Sequence, residues 1–270
     1  MKRKDFIKSS ATFAAGTALF PMISCRDEKK TIAEEANALV RKNWAGNYTY
    51  TADNLFEPST VEEVQAFVKK LDSQKALGSC HCFNNIADSP LNQISTKNLK
   101  GIIDLDEMAM TVTVGAGAKY GDFATELHDK GYALHNLASL PHISVAGACA
   151  TATHGSGVTN GNLATKVVAI ELVNGKGEIV QIRKTENNEL LNACVVSLGA
   201  LGIITKMTLE IEKTFNVRQD VFQNLPLESL KDNFNAILSG GYSVSLFTDW
   251  QDQNISQVWV KRRVDQEIKN

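Results

Sequence analysis

One pair of apolar runs around a short turn restricts the fold of this chain more than any other feature. Val167–Val173 and residues 179–182 are separated by Asn174-Gly175-Lys176-Gly177. Asparagine and glycine readily adopt the left-handed backbone that tight hairpin turns need, so two antiparallel strands are predicted here. A doubly wound parallel sheet requires uninterrupted alternation of strands and helices, so the sequence excludes that architecture and favours an α+β fold.

Further helices and strands flank this hairpin. Thr60-Val61-Glu62-Glu63 is a capping box at the start of one predicted helix, and Gly131 ends another that begins at Tyr120. Additional strands are predicted at 76–77, 102–105, 110–114 and 203–211. Beyond Phe215, a turn at Leu225-Pro226, a helix, and strands around 244–246 and 258–260 predict the opening of a second domain.

Charge and composition exclude several classes of protein. The 270 residues include 28 basic and 30 acidic side chains, a formal net charge of −2, and 7% aromatic residues. Without a broad basic surface or many aromatic side chains, nucleic acid is not expected as a partner. The 43% hydrophobic and 21% charged fractions are typical of a soluble globular protein with one large domain or two modest ones.

Residues 1–25 predict an export signal. Arg3-Lys4-Asp5-Phe6-Ile7-Lys8 is similar to a twin-arginine signal, a route for proteins exported already folded around a cofactor. The uncharged run from Ser9 to Ser24 is too short to span a bilayer comfortably. Ile23-Ser24-Cys25 resembles a lipobox, so Cys25 is a candidate lipid anchor, although a plain cleaved signal or an uncleaved amphipathic helix stays open. We expect an exported protein, either periplasmic or membrane-anchored as a lipoprotein, with a linker over 26–42.

The remaining cysteines are Cys80, Cys82, Cys149 and Cys194. An even number in an oxidising compartment permits disulfides, although a chain of this size does not need them. Cys149 and Cys194 lie in apolar runs and are expected to be buried as small hydrophobic side chains.

Four glycine-rich stretches carry the candidate binding site, at 78–84, 139–147, 151–157 and 199–203. None of them matches a Walker A loop or the dinucleotide-binding fingerprint. Small residues let backbone N–H groups approach an anion closely, and serine and threonine hydroxyls add donors. Several such stretches in one chain predict a large phosphate-bearing ligand in an extended groove.

Several motifs together resemble a known family. The motifs are Asn43-Trp44-Ala45-Gly46-Asn47, His81-x-Phe83-Asn84, residues 136–147 (NLASLPHISVAG), Thr153-His154-Gly155-Ser156-Gly157 and residues 242–250 (YSVSLFTDW). They are similar to FAD-binding oxidoreductases of the vanillyl-alcohol-oxidase (PCMH) type, in the alditol oxidase and sugar-1,4-lactone oxidase branch. The resemblance implies an α+β fold: a PCMH-type FAD-binding domain of two α/β subdomains over 43–214, then the start of an α+β cap (substrate) domain over 215–270.

The resemblance also implies which residues would hold FAD. His81 would carry a covalent bond to the 8α-methyl carbon of FAD, which requires a neutral imidazole nitrogen as nucleophile. Ser139 would bind substrate near the flavin ring, and Ile204 would offer its backbone to the adenine. The cofactor-binding residues implied beside His81 are Gly78, Ser79, Cys80, Cys82, Phe83, Asn84, Ser139, Ser144, Gly147, Thr151, Thr153, His154 and Ile204.

The implied reaction is oxidation of a hydroxyl on a polyol or sugar lactone. Hydride would pass to flavin N5, and dioxygen would reoxidise the flavin to give hydrogen peroxide. The alternatives are an aldono-1,4-lactone oxidase or dehydrogenase of the D-arabinono-1,4-lactone type, and a catalytically incomplete FAD-binding fragment. The relatives continue the cap domain and return side chains to the flavin, so this chain, which stops at Asn270, is expected to be C-terminally truncated or completed by another chain.

Other chemistry is less compatible with these residues. Cys80-His81-Cys82 could suggest a metal site, but adjacent side chains diverge, and no metal is predicted. Ser139 with His142 could suggest a hydrolase, but no Gly-x-Ser-x-Gly elbow surrounds the serine. His142 is expected to hydrogen-bond to backbone, and for His154 the same contact is an alternative to binding FAD. Cys80 would be strained if its φ were positive.

Overall fold

The computed structural model of the chain describes residues 40–264. The predicted export signal over 1–25, including Cys25, and residues 26–39 of the predicted linker lie outside this range, as do residues 265–270. Within residues 40–264, no helix is long and apolar enough to cross a membrane.

The described chain contains thirteen strands and six α-helices. The strands are β1 (Asn54–Phe56), β2 (Gln74–Leu77), β3 (Asn92–Ser95), β4 (Ile102–Asp106), β5 (Thr111–Gly115), β6 (Tyr132–Ala133), β7 (Val167–Val173), β8 (Ile179–Arg183), β9 (Ile203–Glu210), β10 (Glu212–Lys213), β11 (Asn216–Pro226), β12 (Ser243–Phe247) and β13 (Asn254–Val264). The helices are α1 (Val61–Lys70), α2 (Tyr120–Asp129), α3 (Val145–Ala150), α4 (Asn188–Val195), α5 (Leu227–Asp232) and α6 (Phe234–Leu238). Short 3-10 turns lie at Asn85–Ala87 and Leu163–Lys166.

The first subdomain is a parallel sheet of three strands, ordered β1-β3-β2. Helix α1 begins where the capping box predicts, because the Thr60 side chain accepts a hydrogen bond from the Glu63 backbone. Its apolar stripe buries Val64 and Val68 with Ile94 of β3. Strand β2 then leads directly into Gly78, so the sheet delivers the first glycine-rich stretch to its edge.

The second subdomain is an antiparallel sheet of five strands, ordered β4-β5-β9-β7-β8. The predicted hairpin forms between β7 and β8, with Gly177 at a φ of +76° in its turn. Alternate residues such as Val112 and Met207 point to one face and pack with helix residues such as Phe123 and Leu191 in the main core. Helix α3, with the loops before and after it, therefore lies on a rigid base.

Residues beyond the five-stranded sheet form a third layer. Strands β11, β13 and β12 make an antiparallel sheet, and helices α5 and α6 cover one face around Leu230 and Val244. The turn predicted at Leu225-Pro226 is wrong, because both residues end strand β11. Pro226 is tolerated since β11 is an edge strand and the proline also precedes α5. The boundary predicted at 214/215 stays a prediction, and the third sheet begins at Asn216.

Contacts between the third sheet and the preceding layers centre on Arg263. Its guanidinium donates two hydrogen bonds of 2.7 Å to the Glu212 carboxylate and lies 3.7 Å from the Phe215 ring centre. The Tyr242 hydroxyl donates to the carbonyl oxygen of His135. Cation–π stacking and a two-pronged ion pair thus anchor the third sheet on residues of the preceding layers.

Candidate active site

A cavity of about 660 Å³ lies where the glycine-rich stretches meet. Its walls come from the segment after β2, the loop before α3, helix α3 with the loop that follows it, and the segment before β9. All four stretches singled out in the sequence contribute lining residues. Their convergence on one cavity is the arrangement expected for a single extended ligand.

The cavity gathers nearly every site residue implied by the sequence. The lining includes Gly78, Ser79, Cys80, His81, Cys82, Phe83, Asn84, Ser139, Gly147, Thr151, Thr153, His154 and Ile204. Ser144 does not line it but is buried behind the wall, only 3% exposed.

Ser144 is packed against two of the glycines. A Cβ atom added to Gly78 would lie 2.6 Å from Ser144 Oγ, and one added to Gly147 would lie 2.8 Å from it. The Ser144 hydroxyl has no hydrogen-bond partner among residues 40–264. At these two points the backbone approaches so closely that only glycine fits without displacing the serine.

Cys80 has a strained backbone. Its φ of +62° lies in the left-handed region, where an L-residue with a Cβ is disfavoured. The positive φ that would strain Cys80 is therefore present. The strain lies immediately before His81, which is consistent with a loop whose shape is fixed for binding rather than for stability.

His81 is connected to the rest of the cavity wall through Ser79. Nδ1 of His81 lies 3.0 Å from Ser79 Oγ, which also accepts a hydrogen bond from the Ser144 backbone at 2.9 Å. Burial, followed by the neighbouring His142 ring, lowers the pKa of His81 below its usual 6.5. The imidazole is therefore neutral at pH 7, the form that can act as a nucleophile.

Two further rings surround His81. Trp44 stacks on it with ring centres 5.2 Å apart and an interplanar angle of 25°, and His142 lies 4.7 Å from it. The expectation that the His142 side chain hydrogen-bonds to backbone is wrong for Nε2, which is buried and has no partner in the described chain. Nδ1 of His154 lies 2.8 Å from the carbonyl oxygen of Gly155, which is the backbone contact left open as an alternative for this side chain.

The cysteines on the two sides of His81 are thiols. Burial raises the pKa of both Cys80 and Cys82, so neither is a thiolate at neutral pH. All four cysteines in the described range are free, and Cys149 and Cys194 are buried as predicted. Among residues 40–264, no three His, Cys, Asp or Glu side chains are grouped to hold a metal ion.

Several lining residues lie outside the predicted site set. Lys75 and Thr96 line the cavity, as do Leu198 and Gly199. Lys75 lies in β2 and Thr96 directly follows β3, where strand patterns alone do not distinguish a cavity wall from a core. Only the position of Thr96 directly after a parallel strand could have indicated it as a wall residue.

The chemistry of the wall fits a cofactor that carries phosphate. The lining contains Lys75, several hydroxyl side chains and closely approachable backbone, and no aspartate or glutamate. A diphosphate therefore meets donors without a nearby carboxylate that would repel it. Apolar side chains such as Ile143 and Ile204 supply surface for flat aromatic rings.

Comparison with known proteins gives this cavity a context. A family model described as FAD binding domain matches residues 52–183. Alditol oxidase from Streptomyces sp. strain IKD472 is 47% identical over 84% of this chain and 54% of its own length. D-arabinono-1,4-lactone oxidase from Kluyveromyces lactis is 33% identical over 73% of this chain and 39% of its own length. The chain thus spans about half the length of the curated relatives it matches.

Solved structures show the same fold. A cholesterol oxidase from Brevibacterium sterolicum superposes with a TM-score of 0.73 over 84% of this chain and 48% of its own. The sequence identity is 17%, so this likeness concerns architecture alone. The α+β, PCMH-type FAD-binding fold expected from the sequence is confirmed.

Proposed function

We propose that this chain, which matches the FAD-binding oxidoreductases that include alditol oxidase and the sugar-lactone oxidases, oxidises a hydroxyl group of a polyol. The observation that carries this proposal is the 47% identity to an alditol oxidase over a segment that contains the whole cavity wall. An aldono-1,4-lactone substrate is the second candidate, favoured by the 33% identity to a lactone oxidase.

The residues of the cavity support a division of tasks. The segment from Gly78 to Asn84 would hold the diphosphate, since it offers small residues and hydroxyls without an acidic neighbour. Ile204 would lie against the adenine end, and Ser139 would bind the substrate hydroxyl. When bound, FAD supplies the chemistry, by accepting hydride from the carbinol carbon and passing the electrons to dioxygen.

We further propose that His81 is the covalent attachment point. Its imidazole lines the cavity, is neutral at pH 7, and has an Nε2 atom without a partner among the described residues. A neutral imidazole in the cavity wall is what bond formation to a carbon of the flavin requires.

Oxygen uptake by the purified protein tests the activity. With xylitol or sorbitol we expect oxygen consumption and hydrogen peroxide in equal amounts, and slower turnover of D-arabinono-1,4-lactone. Faster turnover of the lactone would favour the second candidate. A yellow protein that consumes no oxygen with either class would overturn the oxidase activity for this chain and leave FAD binding intact.

Acid precipitation tests the covalent bond. We expect the yellow colour to remain with the precipitated protein and to move to the supernatant in His81→Ala. Colour in the supernatant of the unaltered protein would overturn covalent attachment.

Export remains a proposal that rests on residues 1–25 alone. We expect cell fractionation to find the protein outside the cytoplasm. Lipid labelling should be lost in Cys25→Ser if Cys25 is the anchor. A cytoplasmic, unlabelled protein would contradict both expectations.

A further inference from the structure

The rings of Trp44 and His142 pack against the His81 imidazole and against each other. The three ring centres lie 4.7 to 5.5 Å from one another, which is the range of direct aromatic packing. Trp44 is 55% exposed, so its ring is not placed there by burial in the hydrophobic core. A half-exposed tryptophan on a histidine that lines the cavity calls for another explanation.

The backbone around Trp44 binds the loop that carries His81. The Trp44 backbone N–H donates to the carbonyl oxygen of Cys80 at 2.8 Å. Asn43 Nδ2 donates to the carbonyl oxygen of Cys82 at 2.9 Å, and Asn47 Nδ2 to that of Phe83 at 3.0 Å. The turn at 43–48 thus holds three carbonyl groups on the two sides of His81, including that of the strained Cys80.

The free nitrogens around His81 show that polar contacts alone do not fix its ring. Nδ1 has one contact, to Ser79, and a single hydrogen bond leaves an imidazole free to tilt about it. Nε2 of His81 and Nε2 of His142 are both buried without a partner among residues 40–264. The packing of the Trp44 and His142 rings on the imidazole restricts its orientation further.

We propose that Trp44 and His142 are positioning residues, which hold the His81 imidazole in the orientation needed for covalent attachment of FAD. This inference rests on the proposed attachment at His81 and adds two residues that do not form the bond themselves. Orientation matters because a reaction between two held groups slows steeply when one of them is misplaced or mobile.

The attachment balances as follows. A ring nitrogen of His81 forms a bond to the methyl carbon, which loses one hydrogen, while the imidazole gives up its N–H proton. The electron pair and both protons pass by way of the bound cofactor to dioxygen, which becomes hydrogen peroxide. Neither Trp44 nor His142 gains or loses an electron in this step.

The test separates FAD binding from attachment. Apo-protein is mixed with saturating FAD, and the first-order rate of attachment is followed by acid-precipitable flavin, while fluorescence measures the affinity for unattached FAD. We expect Trp44→Leu and His142→Ala to slow attachment by about tenfold or more with little loss of affinity. Trp44→Phe, which restores a flat ring, should recover most of the rate.

Trp250 supplies a matched control, since it is 85% exposed and does not line the cavity. Trp250→Leu should attach FAD at the unaltered rate, and circular dichroism checks that each variant folds. Attachment by Trp44→Leu and His142→Ala at the unaltered rate would overturn the inference, as would a slow rate that weaker FAD binding explains. If the unaltered protein binds FAD but never attaches it, the attachment at His81 is overturned, and this inference with it.

Discussion

The Ser79 hydroxyl accepts a hydrogen bond from the backbone N–H of Ser144 at 2.9 Å. The contact joins the segment that follows β2 to the residue that precedes α3, and therefore joins the two subdomains that form the cavity. The same oxygen lies 3.0 Å from Nδ1 of His81. The Ser79 hydroxyl thus contacts both the backbone of the second subdomain and the proposed attachment point, His81.

Removing this hydroxyl should destabilise the protein. Ser79→Ala leaves the buried Ser144 N–H without a partner, and we expect the free energy of unfolding to fall by about 1–2 kcal/mol. Urea denaturation measures the change. Ser139→Ala is the control, since the Ser139 hydroxyl has no hydrogen bond among the described residues, and its curve should match that of the unaltered protein. An equal loss of unfolding free energy in both variants would show that the hydrogen bond from Ser144 to Ser79 does not account for the effect.

A methyl group at Gly78 should weaken FAD binding. The new Cβ would lie 2.6 Å from Ser144 Oγ, and overpacking of this kind costs about 1–3 kcal/mol. We expect Gly78→Ala to lower the affinity for FAD about tenfold, as measured by titration of the apo-protein. The double variant Gly78→Ala with Ser144→Ala removes the clash and should recover part of the affinity. If the double variant recovers no affinity for FAD, the clash with Ser144 is not the cause of the weaker binding.

Glycine in place of Cys80 should stabilise the fold. A φ of +62° costs an L-residue about 1–2 kcal/mol, and glycine avoids this at an entropic cost of about 0.5–1 kcal/mol. Cys80→Gly should therefore raise the free energy of unfolding by about 0.5–1 kcal/mol. Cys80→Ala keeps the strain while removing the thiol, and we expect no gain from it. Stabilisation by alanine would assign the effect to the thiol instead.

Attachment of FAD should persist in mildly acidic solution. Burial and the nearby His142 and Lys119 lower the pKa of His81 below 6.5, so the neutral nucleophile remains at a pH where a free imidazole is half protonated. We expect the attachment rate to reach half its maximum below pH 6.5 and to level off as the pH rises above that midpoint. Because the folded pKa is the lower one, the same group reduces stability as pH falls through 6.5. A midpoint above pH 6.5 would contradict the assignment.

The ion pair beneath the third sheet should be worth more than an ordinary surface pair. Arg263 makes two hydrogen bonds of 2.7 Å to Glu212 and stacks on Phe215. A double-mutant cycle of Arg263→Ala and Glu212→Gln should give a coupling of about 1 kcal/mol. The neighbouring Arg262, paired with Asp220 on an exposed strand, should give about 0.5 kcal/mol or less in the same measurement. Similar coupling energies for the two ion pairs would show that stacking on Phe215 does not strengthen the pair of Arg263 with Glu212.

Local signals in the sequence predict the elements that depend on local physics. The hairpin at Asn174-Gly175-Lys176-Gly177, the capping box at Thr60 and the helix end at Gly131 all form as predicted, since each depends on a few neighbouring residues. The prediction of a turn at Leu225-Pro226 is wrong because the outcome there depends on the whole sheet and not on neighbouring residues. Proline ends a central strand but is tolerated on an edge strand, and edge position is a property of the whole sheet.

The cavity is less accessible to such reasoning. The stretches of small residues indicate that a ligand is bound. The motifs within them indicate which residues line the same cavity. The packing of Trp44 and His142 on His81 joins three segments far apart in sequence, and no spacing rule predicts it. The position of Lys75 in the cavity wall likewise depends on where β2 lies in the fold rather than on its neighbours in the chain.

The order of strands in the five-stranded sheet has a consequence for synthesis of the protein. Strand β9 is the last of the five to leave the ribosome, yet it pairs with both β5 and β7 at the centre of the sheet. Until residue 210 has emerged, the hairpins β4-β5 and β7-β8 have no common partner and expose unpaired edges. The nascent chain therefore passes through a long interval in which its edges are open to aggregation and to chaperones, and the cavity wall at Ile204 is completed only when that interval ends.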